Sequence, residues 1–259
     1  MHRSLLAHRL APLIVGLLSV SLFLLIWEIA GSTETVRSEL VSYPTQILSA
    51  FKRLILSGEL AQNTLISLRE FGEGFAAAIV IGIACGVAFA LSRTIRYLFE
   101  PIFVALYTAP IIVFVPVLVV WFGIGTTSKS IAVFLSAFIP IAINTTTGIE
   151  EISESWVRAL RAFGASRTQI IFKAMLPGAI PSIMAGIRLA IGRGIVVLIA
   201  GEMYVSMSGI GRLISIYSVA PDGVPEIFVL VAVVATFGYV CVLLFSLIES
   251  GLTPWRSHS

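Results

Sequence analysis

Charge is scarce in this sequence, and that shortage decides its class. Of 259 residues, 12% are charged and 58% hydrophobic, where soluble domains carry roughly 25% charge. At a mean hydropathy of +1.01 the chain has too few polar groups to cover its apolar surface, so lipid must cover it. This length leaves room for one domain of several membrane spans and little for a soluble domain. Cysteine and histidine are nearly missing. Cys85 and Cys241 fall inside apolar runs and read as small buried hydrophobes. His2, His8 and His258 lie near the chain ends, so neither a histidine-centred triad nor a metal site is expected. No Gly-x-x-x-x-Gly-Lys-Ser/Thr loop occurs, so that phosphate cradle is excluded. The glycine runs at 82–86 and 192–194 lie in apolar segments and read as places where helices approach closely. No period of roughly 20–50 residues repeats.

Long apolar runs are what the chain does have. A helix crosses a bilayer with about 20 mainly apolar residues. Six segments qualify, near Pro12–Ala30, Phe71–Leu91, Pro101–Phe122, Ser130–Gly148, Gly178–Val205 and Glu226–Ser250. The first follows Arg3 and Arg9 and is longer than a signal-peptide core, so it reads as a retained span. The third contains Pro110 and Pro116 and is predicted to kink or break, because proline removes a backbone donor. Between the first two spans, Pro44 opens a helix over about 44–57 and Gly58 stops it. Ile47, Leu48, Phe51, Leu54 and Ile55 share one face of it, with Lys52 and Arg53 opposite. It reads as a surface helix resting on the bilayer.

A cytoplasmic N-terminus puts nine basic residues in inner loops: Arg3, Arg9, Arg93, Arg96, Arg158, Arg161, Arg167, Lys173 and Arg256. It leaves five outside: Arg37, Lys52, Arg53, Lys129 and Arg212. That excess favours both termini in the cytoplasm, and with it the net charge of +3 reads as loop anchoring rather than nucleic-acid binding.

The fifth span carries Arg188, Arg193 and Glu202. Charges at membrane depth cost about 2.5–3.5 kcal/mol each on insertion scales, so they should face protein or water. At about 100° per residue, Arg188 and Glu202 lie about 40° apart around the helix, and Arg193 about 140° from Arg188. Arg188 is expected to face a translocation path or subunit seam, or else to bond carbonyls exposed by the kinked third span. Arg69 is expected to pair with Glu202 or with Glu73 at the outer side.

The most polar stretch stands in the middle, over about 150–177. Trp156, Ala159, Leu160 and Phe163 form one helical face, with Glu151, Glu154, Arg158 and Arg161 on the other. Glu150, Glu151 and Glu154 beside arginines read as a solvated, salt-bridged face rather than a catalytic group. Gly164 can stop this helix in a left-handed conformation, and Ser166 with Gln169 forms a capping box that starts the next. Pro177 is expected to end that second helix before the chain returns to the membrane. The pattern is helix, tight turn, helix.

This segment resembles the cytoplasmic signature of ABC-importer permeases, E-A-A-x-x-x-G-x(9)-I-x-L-P. Ala159, Gly164, Leu176 and Pro177 match it, while Arg158, Leu160 and Ala174 differ. "NTLISLREFGEGFAAAIVIGIACGVAFALS", "VPVLVVWFGIGTTSKSIAVFLSAFIPIAINTTTGI" and "GIRLAIGRGIVVLIAGEM" followed by "GIGRLI" are similar to successive parts of the same fold. Within the family the chain is similar to the nitrate, sulfonate, taurine and pyrimidine-precursor group. The resemblance implies an all-α membrane protein of about six spans, with a type I permease fold in a single domain over 1–259. It implies a coupling helix that uses Arg158, Ala159, Leu160, Gly164, Ala165, Ser166, Leu176 and Pro177 to dock on a cytoplasmic ATPase dimer. ATP and magnesium would then bind that partner, with no cofactor on this chain and no enzymatic activity of its own. A periplasmic or lipid-anchored binding protein would deliver a small anionic or heteroaromatic solute. A homodimer in the bacterial inner membrane would pass it inward by alternating access, with Arg69, Arg188, Arg193 and Glu202 as its intramembrane charges. Two alternatives stay open: a stand-alone channel or secondary transporter, and the coupling component of an energy-coupling vitamin transporter.

Overall fold

A computed structural model describes residues 2–33 and 42–253, with side chains from Val15 onward. Arg37, Arg256 and His258 lie outside the described residues, as do the side chains of His2, Arg3, His8 and Arg9. The described residues are helical and contain no strand. Eleven α-helices follow in order: α1 (His2–Ser32), α2 (Pro44–Leu56), α3 (Glu59–Leu91), α4 (Arg93–Thr108), α5 (Val115–Phe122), α6 (Thr126–Glu150), α7 (Glu154–Ala162), α8 (Arg167–Ile170), α9 (Leu176–Val205), α10 (Ile210–Ser218) and α11 (Val224–Leu252). A 3₁₀ turn over Ile111–Phe114 precedes α5, and a π-helical turn over Ile171–Met175 precedes α9. Five stretches are long and apolar enough to cross a membrane, or six if α4 and α5 together make one bent span.

Packing divides the chain into two compact units, Met1–Ala61 with Ile214–Ala232, and Gln62–Leu213 with Val233–Ser259. In the first unit, α1 presents Val15, Leu17, Phe23 and Leu25 outward, each more than half exposed. Such a surface is stable only against lipid or protein. Near its end the Trp27 indole donates to the Ser42 carbonyl at 2.8 Å. Glu28 accepts the Thr45 hydroxyl at 2.7 Å and the Thr45 N–H at 3.1 Å. That carboxylate satisfies an orphan N–H at the positive end of α2, whose own N-cap residue, Tyr43, makes no side-chain capping bond. Pro44 opens α2 and Gly58 lies just beyond it at φ +79°. Arg53 pairs with the buried Glu226 at 2.5 Å, and the Tyr217 hydroxyl donates to Glu59 at 3.0 Å.

The second unit is built on α6 and α9, whose most apolar windows are 61% and 56% buried. Ala137, Ile141, Ile187, Ala190 and Ile191 fill the centre, and Phe71 and Phe75 pack against Phe237 and Phe245. Small residues bring the backbones together. A Cβ on Gly82 would meet Ile141 at 3.0 Å, and one on Gly86 would meet Thr145 at 2.5 Å. Gly192, by contrast, has nothing within 4 Å, so close packing is not its role.

The expected break in the third span is present. Ala109 is extended (φ −68°, ψ 133°), as a residue before proline prefers, and the chain bends by 92° before continuing. Pro110 makes this break. Pro116 instead occupies the first turn of α5, where a missing N–H leaves no helical bond unmade.

Candidate functional site

The turn between α7 and α8 is set by local chemistry. Gly164 adopts φ +81°, Ala165 N–H donates to the Leu160 carbonyl at 3.0 Å and Gly164 N–H to the Arg161 carbonyl at 2.9 Å. These are the paired bonds that close a helix through a left-handed glycine. Ser166 Oγ then accepts the Gln169 N–H at 3.3 Å while Gln169 Oε1 accepts the Ser166 N–H at 2.8 Å, the reciprocal bonds of a capping box. Val157 and Ile170 are buried and anchor the two helices. Trp156, Phe163 and Phe172 stand 69%, 90% and 63% exposed. Between α7 and the start of α9, Trp156, Ala159, Leu160, Lys173 and Pro177 line an open groove of about 760 Å³. Arg158 approaches Glu154 at 3.6 Å, both side chains well exposed, a pair worth about 0.3–0.5 kcal/mol.

Pro177 does not end the second helix. The helical path runs from Arg167 through the π turn to Val205, with Pro177 in the first turn of α9. A proline ring crowds the carbonyl four residues back, here Lys173. The π turn lies over that residue and widens the backbone, so the helix passes the proline without breaking.

The intramembrane charges fall into three groups. The first joins α3, α6, α9 and the loop before α10. Lys129 Nζ lies 2.5 Å from Glu70 Oε1 and donates to Ser206 Oγ at 2.7 Å. Glu202, fully buried, accepts the Ser67 hydroxyl at 2.5 Å and the Gly211 N–H at 2.7 Å. Ile210 N–H donates to Ser67 at 2.9 Å and Gly209 N–H to Asn63 at 2.7 Å. Two buried carboxylates thus share one ammonium, the Ser67 hydroxyl and an N-terminal amide of α10. Removing a single partner of such a buried set costs about 3–5 kcal/mol.

Second, Arg188 pairs with Glu249 of α11, not with carbonyls of the broken span. Arg69 pairs with Glu73 at 2.8 Å and is largely exposed. It does not reach Glu202, because one residue turns about 100° around a helix; Ser67 and Glu70, three apart, share the inward face instead. Third, Arg193 stands over the Tyr107 ring, with Cζ 4.2 Å from its centroid. The two residues border a cavity of about 580 Å³ beside the bend between α4 and α5.

Sequence reasoning missed Glu70, Lys129, Glu249 and Tyr107 as partners. Glu70, Lys129 and Glu249 stand near the ends of apolar runs, where a charge normally reads as a loop anchor. Only the packing of the spans puts them opposite one another.

Residues 78–256 match the family described as "Binding-protein-dependent transport system inner membrane component". The taurine transport system permease protein of Escherichia coli (strain K12) is 30% identical, over 96% of this chain and 92% of its own length. The nitrate import permease protein of Synechocystis sp. (strain ATCC 27184 / PCC 6803 / Kazusa) is 31% identical, over 76% and 74%. Among solved structures, a chain of the inward-facing MetNI methionine ABC transporter superposes with a TM-score of 0.65. That match, at 19% identity, covers 76% of this chain and 98% of that one, and it shows the type I importer permease fold. The chain therefore belongs to the binding-protein-dependent transport system inner membrane components, the permease subunits of ABC importers.

Proposed function

We propose that this chain, as one permease domain over 1–259, imports a small anionic solute by alternating access driven by a separate ATPase. The observation that carries the reading is the α7–α8 turn. A glycine stop and a capping box fix two short helices rigidly, with Phe163 exposed at the turn between them and Phe172 exposed in the π turn that follows. Arg158, Ala159, Leu160, Gly164, Ala165 and Ser166 form the docking tip; Leu176 and Pro177 join it to α9. Because the helical path runs on from Arg167 to Val205, a push on the tip reaches the membrane interior without a flexible joint. ATP and magnesium act on the partner. The permease contributes two states of different stability and no bond chemistry.

In this arrangement both termini and the 150–177 segment face the cytoplasm of a bacterial cell. A binding protein, periplasmic or lipid-anchored, delivers the solute to the opposite side, and two copies of this chain form the path. The taurine and nitrate permeases among its relatives support a cargo that bears an oxyanion group, a sulfonate in the one and nitrate itself in the other. Co-purification from cells that express the chain with its own ABC ATPase tests the assembly. Two copies of this chain with two ATPase chains are expected. A lone oligomer would point instead to a channel or secondary transporter, and one copy with a small extra binding subunit to an energy-coupling vitamin transporter.

A further inference from the structure

Among the described residues, Arg193 is a basic residue of the membrane interior with no acid beside it. Lys129, Arg69 and Arg188 pair with Glu70, Glu73 and Glu249. Among the described residues, Arg193 has no ion pair or hydrogen bond, only the Tyr107 ring. It stands twelve residues from the Val205 end of α9, roughly 18 Å along the axis. A cation is retained at such depth where it faces protein or a water-filled path, and Arg193 faces a cavity of about 580 Å³. That volume suits a small-molecule site.

Pro110, Ser136, Gly192 and Val196 line the same cavity. Gly192 has nothing within 4 Å of a would-be Cβ, so its missing side chain keeps the space open. Contact with a ring face uses none of the five guanidinium N–H donors, which remain for a planar or tetrahedral oxyanion. The other walls are mainly apolar and suit a short alkyl body.

We infer that this cavity is a binding site for a small oxyanion, a sulfonate or a nitrate-like ion, with Arg193 as its anion-binding residue and Tyr107 holding the guanidinium in place. The inference rests on the importer reading and names the class of its cargo. Saturation-transfer difference NMR of methanesulfonate with the purified full chain in detergent tests it. Wild-type protein should give a methyl signal that nitrate displaces and should give none with dimethyl sulfone, the neutral isostere. Arg193→Gln should weaken binding by about tenfold or more, while Arg193→Lys restores part of it. Gly192→Leu, which fills the cavity and leaves the charge, should also abolish the signal. The inference is overturned if wild type gives no methanesulfonate signal, if dimethyl sulfone binds equally, or if binding survives Gly192→Leu. If Arg193→Gln folds and still binds equally, it is overturned as well. Wild-type assembly with the ATPase tests the importer reading separately, so failure of one does not pass for failure of the other.

Discussion

Gly209→Ala should be among the most damaging small substitutions in this chain. Gly209 adopts φ +107°, which costs an L side chain about 1–3 kcal/mol. A Cβ there would land on the Glu202 carboxylate, with Oε2 only 2.7 Å away. The carboxylate would have to move and give up bonds to Ser67 at 2.5 Å and Gly211 at 2.7 Å. Hydrogen bonds to a charged group are worth about 1.5–3 kcal/mol each, so the total loss is at least roughly 4 kcal/mol. Gly164→Ala is the control, because its φ is +81° but nothing lies within 4 Å; it bears only the backbone strain. At about 2–4 °C per kcal/mol, Gly209→Ala should melt at least roughly 8 °C below wild type in detergent, and at least roughly 6 °C below Gly164→Ala, which shares the backbone strain but loses neither bond. In a Glu202→Ala background the Gly209→Ala penalty should shrink toward that of the control, since the two positions touch. If Gly209→Ala melts with or above Gly164→Ala, the buried carboxylate does not hold this loop.

Gly164→Val should leave membrane insertion normal and reduce co-purification with the ATPase, because a β-branched residue resists the left-handed turn at a cost of about 1–3 kcal/mol; normal assembly and transport would refute the coupling role. Phe163→Ala should shift the melting temperature little, since Phe163 is 90% exposed and surface changes stay within about 0.5 kcal/mol. It should nonetheless weaken ATPase association, and pull-down at graded ATPase concentration measures this. The Tyr217 phenol is pushed up to about 12, first by burial and then by the hydrogen bond and charge of Glu59. Its stabilising share is therefore present below the ordinary tyrosine value of about 10 and fades as pH rises through about 12. The ultraviolet titration difference between wild type and Tyr217→Phe should show that late step, and Glu59→Gln should bring it earlier; an ordinary tyrosine step would refute the contact.

The sequence by itself determined the spans, the break and the hairpin. Runs of about 20 apolar residues can satisfy their backbone in lipid only as helices. Pro110 removes a backbone donor and biases Ala109 toward the extended backbone it adopts, and Gly164, Ser166 and Gln169 close and open their helices through bonds no more than five residues apart. These are local causes, so they can be read along the chain. Pro177 shows the limit even there, because whether a proline ends a helix depends on how the preceding turn relaxes. The tertiary structure alone decided the charge partners. Glu202 meets Ser67 across 135 positions and Arg188 meets Glu249 across 61, and no periodicity within one helix encodes such distances. Arg69 shows this most plainly. It stands two positions from Ser67, which does meet Glu202, but its helical phase points it away, to Glu73. Among the described residues Arg193 meets no acid, only the Tyr107 ring beside the bend at Pro110, and that too is set by how the spans pack.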